Sequence, residues 1–328
     1  MSRRPRVLTW HVHGSYLAYL AWGDYDLFLP VRGDRAHPYG GRTASFDWPD
    51  SVHEVPVEEV PRLSVDCVLY QTRANWLEDR FDVLSSAQRR LPQIYLEHDP
   101  PLEHPAQTRH VVDDPGVLLV HVTHFNELMW DSGRTPTRVI RHGVAAPEGV
   151  VWTGELERGL AVVNNLYRRG RRTGSDVFDR ARARVPLDLL GMGSEDAGSA
   201  AIGEVPLRDV PALSARYRFF FNPIRYTSLG LAACEAMMLG LPIVALATTE
   251  QPAVLRDGVT GFVDTDVGRL IDGMRALIED RSLAARMSAE ARERALDLFD
   301  VTRFVREWER AFREVAGLPA PVLAGSAA

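Results

Sequence analysis

Only two cysteines, Cys67 and Cys234, occur in 328 residues. They lie far apart in apolar surroundings, so no disulfide framework is expected and a reducing cytosol is the natural compartment. Long hydrophobic runs are absent as well: no apolar stretch approaches the roughly 20 residues that would span a bilayer. The opening MSRRPRVLTWHV is basic, but polar residues break its apolar part and no cleavage site follows. It reads as a first strand rather than a signal peptide. An excess of positive charge is missing; the formal net charge of −6 argues against a nucleic-acid partner. The second half lacks histidine altogether, since all 10 lie at or before His142. Two domains with different chemistry would produce that pattern.

What is present is an ordinary globular composition, 45% hydrophobic and 25% charged, in a length that suits about two domains. Short apolar runs of strand length recur between helical stretches. In the first half they predict strands at 6–13, 26–31, 65–71, 93–98, 117–122 and 138–141, with helices over 75–90 and 125–131. The stretch RHGVAAPEGVVWTGE then interrupts with small residues, Gly and Pro, and reads as a linker. Alternation restarts at GLAVVNN and continues through PLDLLGMG, YRFFFNP, LPIVALAT and TGFVDTD, with helices at 282–298 and 301–315 to follow. Near-continuous apolar strands alternating with helices indicate parallel sheets covered on both faces. The expected organisation is an α/β chain with one Rossmann-like domain over 1–145, a second over 146–316 and a disordered tail over 317–328. Ligands of such sheets bind beyond the carboxyl ends of the strands, which makes the cleft between the domains the expected site.

Within NPIRYTSLGLAACEAMMLGLPIVA an almost wholly apolar helix, from about Gly230 to Leu239, keeps one charge, Glu235. Its first-turn amides lack intrahelical partners and carry the positive end of the helix dipole, so its start is an anion site. Thr227 and Ser228 can cap it or donate to a ligand, and Gly230 lets a ligand approach the backbone. Glu235 could accept hydrogen bonds from two neighbouring hydroxyls, as a ribose presents them. The alternative is a buried ion pair, with Arg225 as the candidate partner.

These residues resemble the signature of the GT-B glycosyltransferases of the large retaining family 4, E-G-F-G-L-x-x-x-E-A-M-A-x-G-x-P-V-V-A. The matches are Gly230, Leu231, Glu235, Ala236, Met237, Gly240 and Pro242. The resemblance is dense over 218–264 and looser in the first half. It implies a GT-B fold whose C-terminal helix packs back on the N-terminal domain, and a donor site in the second domain formed by Thr227, Ser228, Leu229, Gly230, Leu231 and Glu235. Glu235 would hold the ribose of the nucleotide. The family's first glutamate falls on Thr227 and its following glycine on Ser228, a departure near the donor sugar. TTEQPAVLRDGVTGF departs too: Thr249, Glu250 and Ala253 replace the usual residues, while Pro252 and the DGVTGF turn match.

In VVNNLYRRGRRTGSDVF, Arg168, Arg169, Arg171 and Arg172 crowd around Gly170 and Gly174 before a helix. Forked guanidiniums there suit a diphosphate, and a solvated charged turn is the plainer reading. The resemblance assigns such a loop to the leaving diphosphate, with Arg172 and then Arg169 as the catalytic cations and Arg168 and Asn165 nearby. Gly191 and Gly193 match the family's glycine turn near the base.

Alternation along a strand places His11 and His13 on one face of VLTWHVHGSYL. Gly14 and Ser15 then open a loop, where the family has a glycine-rich turn facing donor and acceptor. IYLEHDPP ends in His98 and Asp99 and resembles the family's strand-end histidine, which makes His98 the catalytic candidate of the first domain and His13, Gly14, Ser15 and Asp99 its acceptor site. His11, His13, His121 and His124 invite a metal reading, but the chain lacks the eight-fold βα pattern of barrel zinc hydrolases, and no metal is expected.

The function implied is retaining sugar transfer from a nucleotide-diphosphate sugar, which is the donor substrate, with no cofactor. The acceptor would be a small molecule, a glycan or a lipid-linked sugar; a lipid acceptor would bring peripheral contact with a membrane, although no integral segment is expected. A nucleotide-sugar 2-epimerase shares the architecture but needs acid/base carboxylates not evident here. A non-catalytic nucleotide- or sugar-binding scaffold is what Thr227 would signal. A dinucleotide oxidoreductase is disfavoured because no G-x-G-x-x-G follows either domain's first strand.

Overall fold

The structure, a computed structural model, describes residues 3–320. The chain divides into two compact units, one of Met1–Gly143 with Val301–Ala328 and one of Val144–Asp300.

Unit 1 is built on a parallel sheet of β1 (Arg6–Thr9), β2 (Asp26–Val31), β3 (Val52–Pro56), β4 (Cys67–Tyr70), β5 (Gln93–Glu97), β6 (Val117–His121) and β7 (Thr137–Val139), in the order β3-β2-β1-β4-β5-β6-β7. Unit 2 repeats the plan with β8 (Leu156–Val162), β9 (Leu187–Leu190), β10 (Ala201–Gly203), β11 (Tyr217–Asn222), β12 (Ile243–Leu246) and β13 (Gly261–Asp264), in the order β10-β9-β8-β11-β12-β13. Both orders are those of a doubly wound sheet, in which the chain reverses its direction of travel beside the first strand. The central strands are wholly buried, as in the all-buried YRFFFN of β11, which is why they read as continuous apolar runs.

Several expectations need correction. β3 and β10 were not expected; both are edge strands, one with polar His53 and Glu54 and a closing Pro56, the other only three residues long. Edge positions need no strong apolar run. β1 stops at Thr9 instead of reaching His13, because the Trp10 carbonyl accepts from the Gln71 side chain at 2.8 Å instead of from a strand. His11 and His13 therefore do not share a strand face. Gly14 and Ser15 open a helix, Gly14–Leu20, not a loop. The single helix expected over 75–90 is three short turns, Asn75–Asp79, Arg80–Val83 and Gln88–Arg90. Ser85 ends the second by giving its backbone N–H and hydroxyl to Gln88 Oε1, at 2.9 and 3.0 Å.

The expected second domain of 146–316 is shorter, because the helix Val301–Val315 belongs to unit 1. Its fully buried Trp308 donates from Nε1 to Tyr16 Oη at 3.0 Å, and Phe304 and Phe312 pack edge-on against Tyr16 and Tyr25. Burying these rings is worth several kcal/mol and fixes the helix in this unit. Of the expected tail, 321–328 lie outside the described residues.

Candidate active site

At the carboxyl end of the unit 1 sheet, the post-β1 segment, the helix Gly14–Leu20 and the ends of β4, β5 and β7 bring five side chains together. The rings of His13 and His98 lie 4.1 Å apart, and Tyr16 meets both His98, at 4.9 Å, and His142, at 5.8 Å. Gln71 Oε1 lies 3.2 Å from His98 Nε2. Burial drives the His98 pKa well below the ordinary histidine value, and the neighbouring His13 and His142 push it the same way. His142 is lowered to about 4 by burial and by Arg303. His13 keeps open surface, yet crowding still disfavours its charged form, with the Asp99 carboxylate working against that trend. The cluster is thus a set of neutral imidazoles at neutral pH, able to accept or donate hydrogen bonds without adding charge.

The remaining expected acceptor residues surround this cluster. His13 is the residue before the helix Gly14–Leu20, and Gly14 lies so near Phe46 that a methyl group there would stand 2.7 Å from its ring. Ser15 is half-buried in the first turn. Asp99 is anchored through its backbone, its N–H donating to Glu97 Oε1 at 3.1 Å and its carbonyl accepting from Trp130 Nε1 at 2.9 Å. His11 is turned elsewhere, with Nδ1 on the Gly41 carbonyl at 2.5 Å. Among the described residues no three His, Cys, Asp or Glu side chains converge as metal ligands would.

In unit 2 the loops after β8, β9 and β11 are stitched together. Asn165 takes a left-handed backbone, φ 54°, which asparagine tolerates. Its N–H donates to the Met192 carbonyl at 2.6 Å, and the Met192 N–H donates to Asn164 Oδ1 at 3.0 Å, so Asn165 and Gly193 adjoin. The Arg172 carbonyl accepts from the N–H groups of Arg225, at 3.0 Å, and Tyr226, at 3.2 Å. Arg225 then grips Asp176 with both guanidinium nitrogens, at 2.5 and 2.8 Å, and Arg171 reaches the same carboxylate at 2.6 Å. Those bonds hold Asp176 ionised below the usual carboxylate range, the Arg225 bonds foremost.

Arg225, the partner considered for Glu235, is therefore committed to Asp176. Arg168 is exposed and Arg172 half-buried, and among the described residues neither guanidinium has a partner. Arg169 is exposed and does make contacts of its own.

Beyond Arg225 the chain runs into the helix Leu231–Leu239. Thr227 and Ser228 do not cap it: its N-terminal residue is Gly230, with φ 85° and no side-chain hydrogen bond to the first turn. Ser228 and Leu229 are instead braced from outside, their carbonyls accepting from Thr249 Oγ1, at 3.1 Å, and Gln251 Nε2, at 3.2 Å. Nothing lies within 4 Å of where a Gly230 side chain would project. The first-turn N–H groups of Leu231 and its neighbours thus carry no side-chain cap beside open space. Glu235 is half-buried further along this helix, close enough to the buried Cys234 thiol to help burial push its pKa up. This arrangement offers amides and free cations to an anion, and a carboxylate to hydroxyl groups. Sequence reasoning missed Gln71, Asp176, Tyr16 and His142; their only signal is position just past strand ends or in the helices that follow.

The family model for glycosyl transferases group 1 matches residues 182–280, all within unit 2. The GDP-mannose-dependent alpha-(1-6)-phosphatidylinositol monomannoside mannosyltransferase of Mycolicibacterium smegmatis is 31% identical over 165 residues, 42% of this chain and 43% of that one. The O-antigen chain mannosyltransferase B of Escherichia coli is 36% identical over 73 residues, 22% of this chain and 19% of that one. The chain thus matches less than half the length of these curated relatives. Among solved structures, the sucrose-phosphate synthase of Thermosynechococcus elongatus superposes with a TM-score of 0.71 at 14% identity, over 96% of this chain and 100% of that one. Anabaena HepE in complex with UDP gives 0.68 at 16%, over 95% and 100%. Residues 182–280 thus resemble the group 1 glycosyl transferases, and the fold of the two units is that of the GT-B glycosyltransferase structures.

Proposed function

We propose that the protein transfers a sugar, with retention at the anomeric carbon, from a nucleotide-diphosphate sugar to a hydroxyl of an acceptor. The observation that carries this reading is the uncapped start of the helix Leu231–Leu239 at Gly230, with Glu235 further along it, inside the segment that matches the family model. In this reading the first-turn amides receive the diphosphate, Arg172 adds positive charge, and Glu235 accepts from the ribose hydroxyls. The bond between the anomeric carbon and the diphosphate oxygen breaks, and its electron pair leaves on the diphosphate. The acceptor oxygen bonds to the same face of the sugar, and its proton passes to the departing phosphate. The His13, His98, Gly14, Ser15 and Asp99 region of unit 1 would hold the acceptor. No metal takes part in this reading, and two buried, unpaired cysteines favour a cytoplasmic setting.

The test is thermal unfolding with UDP, GDP, ADP and dTDP in turn, with EDTA present. GDP goes first because one relative is named as GDP-mannose-dependent. A nucleotide at about 100 times its dissociation constant stabilises by ~2.7 kcal/mol. One nucleotide should raise Tm in the native protein and not in Glu235→Ala, and its sugar conjugates should then be turned over with retained configuration. Stabilisation without turnover of any conjugate would favour the second reading, a nucleotide-binding scaffold, for which Thr227 at the position of the family's first glutamate is the specific reason. No stabilisation by any nucleotide would overturn both.

A further inference from the structure

The side-chain amide of Gln71, just past β4, has only one orientation that its neighbours allow. Its nitrogen lies 2.8 Å from the Trp10 carbonyl oxygen and 2.8 Å from Thr9 Oγ1. A carbonyl only accepts, so the NH2 must face Trp10; turned around, two oxygens would meet there. Both amide hydrogens are thereby used, and Oε1 is left facing His98 Nε2 at 3.2 Å. Gln71 is buried, and its backbone N–H is itself held by Asn75 Oδ1 at 3.3 Å, so the amide has little freedom to turn. Oε1 can only accept, which puts the His98 proton on Nε2. Nδ1 then bears the lone pair, and among the described residues nothing donates to it.

We infer that Gln71 is a positioning residue: it locks His98 in the neutral Nε2–H tautomer and so presents Nδ1 as a hydrogen-bond acceptor to a hydroxyl of the acceptor substrate. The role in transfer rests on the reading of His98 given above; the tautomer does not. Around the ring stand His13 from the post-β1 segment, Tyr16 from the helix Gly14–Leu20, His142 after β7, and Asp99 next in the chain. Arg303, on the helix Val301–Val315, acts on Tyr16 and His142. None of these bonds Nε2, so the lock falls to Gln71. An acceptor hydroxyl held at Nδ1 would orient the acceptor so that a neighbouring hydroxyl, whose own proton stays free to pass to the departing phosphate, is the one that attacks.

Histidine-selective 15N NMR of the full chain at pH 7.5 reads the tautomer directly, with the His98 signal assigned by its loss in His98→Gln. The expected result is a protonated Nε2 and a bare Nδ1. Gln71→Leu should give a mixture of tautomers, and Gln71→Glu, which sets a carboxylate beside Nε2, should give a doubly protonated ring at a pH where the native ring is neutral. A native proton on Nδ1, or an unchanged tautomer in both variants, would overturn the lock; the native spectrum decides even where Gln71→Leu does not fold. With the nucleotide sugar identified by the thermal test, Gln71→Glu and Gln71→Leu should lower kcat for transfer about tenfold, the worth of one hydrogen bond, and leave the nucleotide's Tm shift intact. An unchanged kcat would remove the positioning role. Absence of turnover in the native protein would sink the transferase reading, and the role with it, while the NMR result on the tautomer would stand.

Discussion

Gly174 presses so closely on Pro223 that a methyl group on it would stand 1.9 Å from the Pro223 carbonyl oxygen. This contact lets the loop after β8 lie against the end of β11, so that the Arg172 carbonyl can receive the N–H groups of Arg225 and Tyr226. Gly174 also has φ 83°, so a side chain there meets both strain and a backbone atom that cannot step aside. Gly174→Ala should cost on the order of 3 kcal/mol or more. Gly170→Ala, at φ 61° but with nothing within 4 Å, should cost only about 1–2 kcal/mol. Urea unfolding of the two variants measures the difference, and equal costs would mean that the two loops do not touch as described.

Arg172 and Arg171 are neighbours with different commitments. Arg171 already donates to Asp176, whereas the Arg172 guanidinium has no partner among the described residues. By calorimetry, Arg172→Ala should weaken binding of a nucleoside diphosphate by about 1.5–3 kcal/mol, the range for a hydrogen bond to a charged group. It should affect the matching monophosphate much less. Arg171→Ala should leave both affinities within about threefold, since an exposed pair contributes little. If Arg171→Ala proves the more damaging change, the charges on the diphosphate have been assigned to the wrong residue.

Trp308 is fully buried and donates to Tyr16 Oη. Trp308→Ala should destabilise unit 1 by about 3–5 kcal/mol through the lost burial and the cavity left behind. Trp308→Phe keeps most of the volume but leaves the buried Tyr16 hydroxyl without its donor, for about 1–3 kcal/mol. Tm and urea midpoints decide, and a small effect from Trp308→Ala would mean that the helix Val301–Val315 is not packed as found.

Acid should destabilise the fold well before its carboxylates titrate. His121 and His142 have pKa values lowered from 6.5 to about 3 and about 4, with burial the main cause. The folded state therefore binds fewer protons than the unfolded one below pH 6.5. Each group's contribution is full above 6.5 and is lost as the pH falls toward the folded value, at about 1.4 kcal/mol per pH unit. Between pH 7 and 5 the two together should remove about 4 kcal/mol. Carboxylates held down by arginines, such as Asp176 and Asp113, act only near and below their ordinary 3.8 and leave this window clear. Stability measured at pH 7, 6 and 5 should fall less steeply in the double variant His121→Asn, His142→Asn; an unchanged slope would show that neither ring is buried uncharged.

The elements that burial dictates were legible in the sequence. The runs at 26–31 and 301–315 coincide with their strand and helix, because period and length decide such elements locally. β3 and β10 were not legible, since an edge strand needs little apolar surface. The helix proposed to receive the diphosphate was readable as an element from Gly230 and Glu235, whose types are unusual for their surroundings. The Arg225–Asp176 pair was not, because the partners lie 49 residues apart and nothing local distinguishes this aspartate from others on helices. Gln71 escaped for the same reason: a glutamine after a strand acquires meaning only when Trp10 and His98 are beside it. Thr227 and Ser228 were plausible caps by type, yet the chain enters the helix through a glycine at positive φ and leaves the hydroxyls elsewhere.

The split composition of unit 1 also sets an order of events during synthesis. Unit 2 is continuous, Val144–Asp300, and can close as soon as it leaves the ribosome, but unit 1 waits for the helix Val301–Val315. At about 5–20 residues per second, translating the intervening segment takes roughly 8–30 s. For that interval the faces of Tyr16 and Tyr25 that Trp308, Phe304 and Phe312 will cover stay bare. A chain halted before residue 301 would therefore hold all the strands of its first sheet and still leave these aromatic faces uncovered.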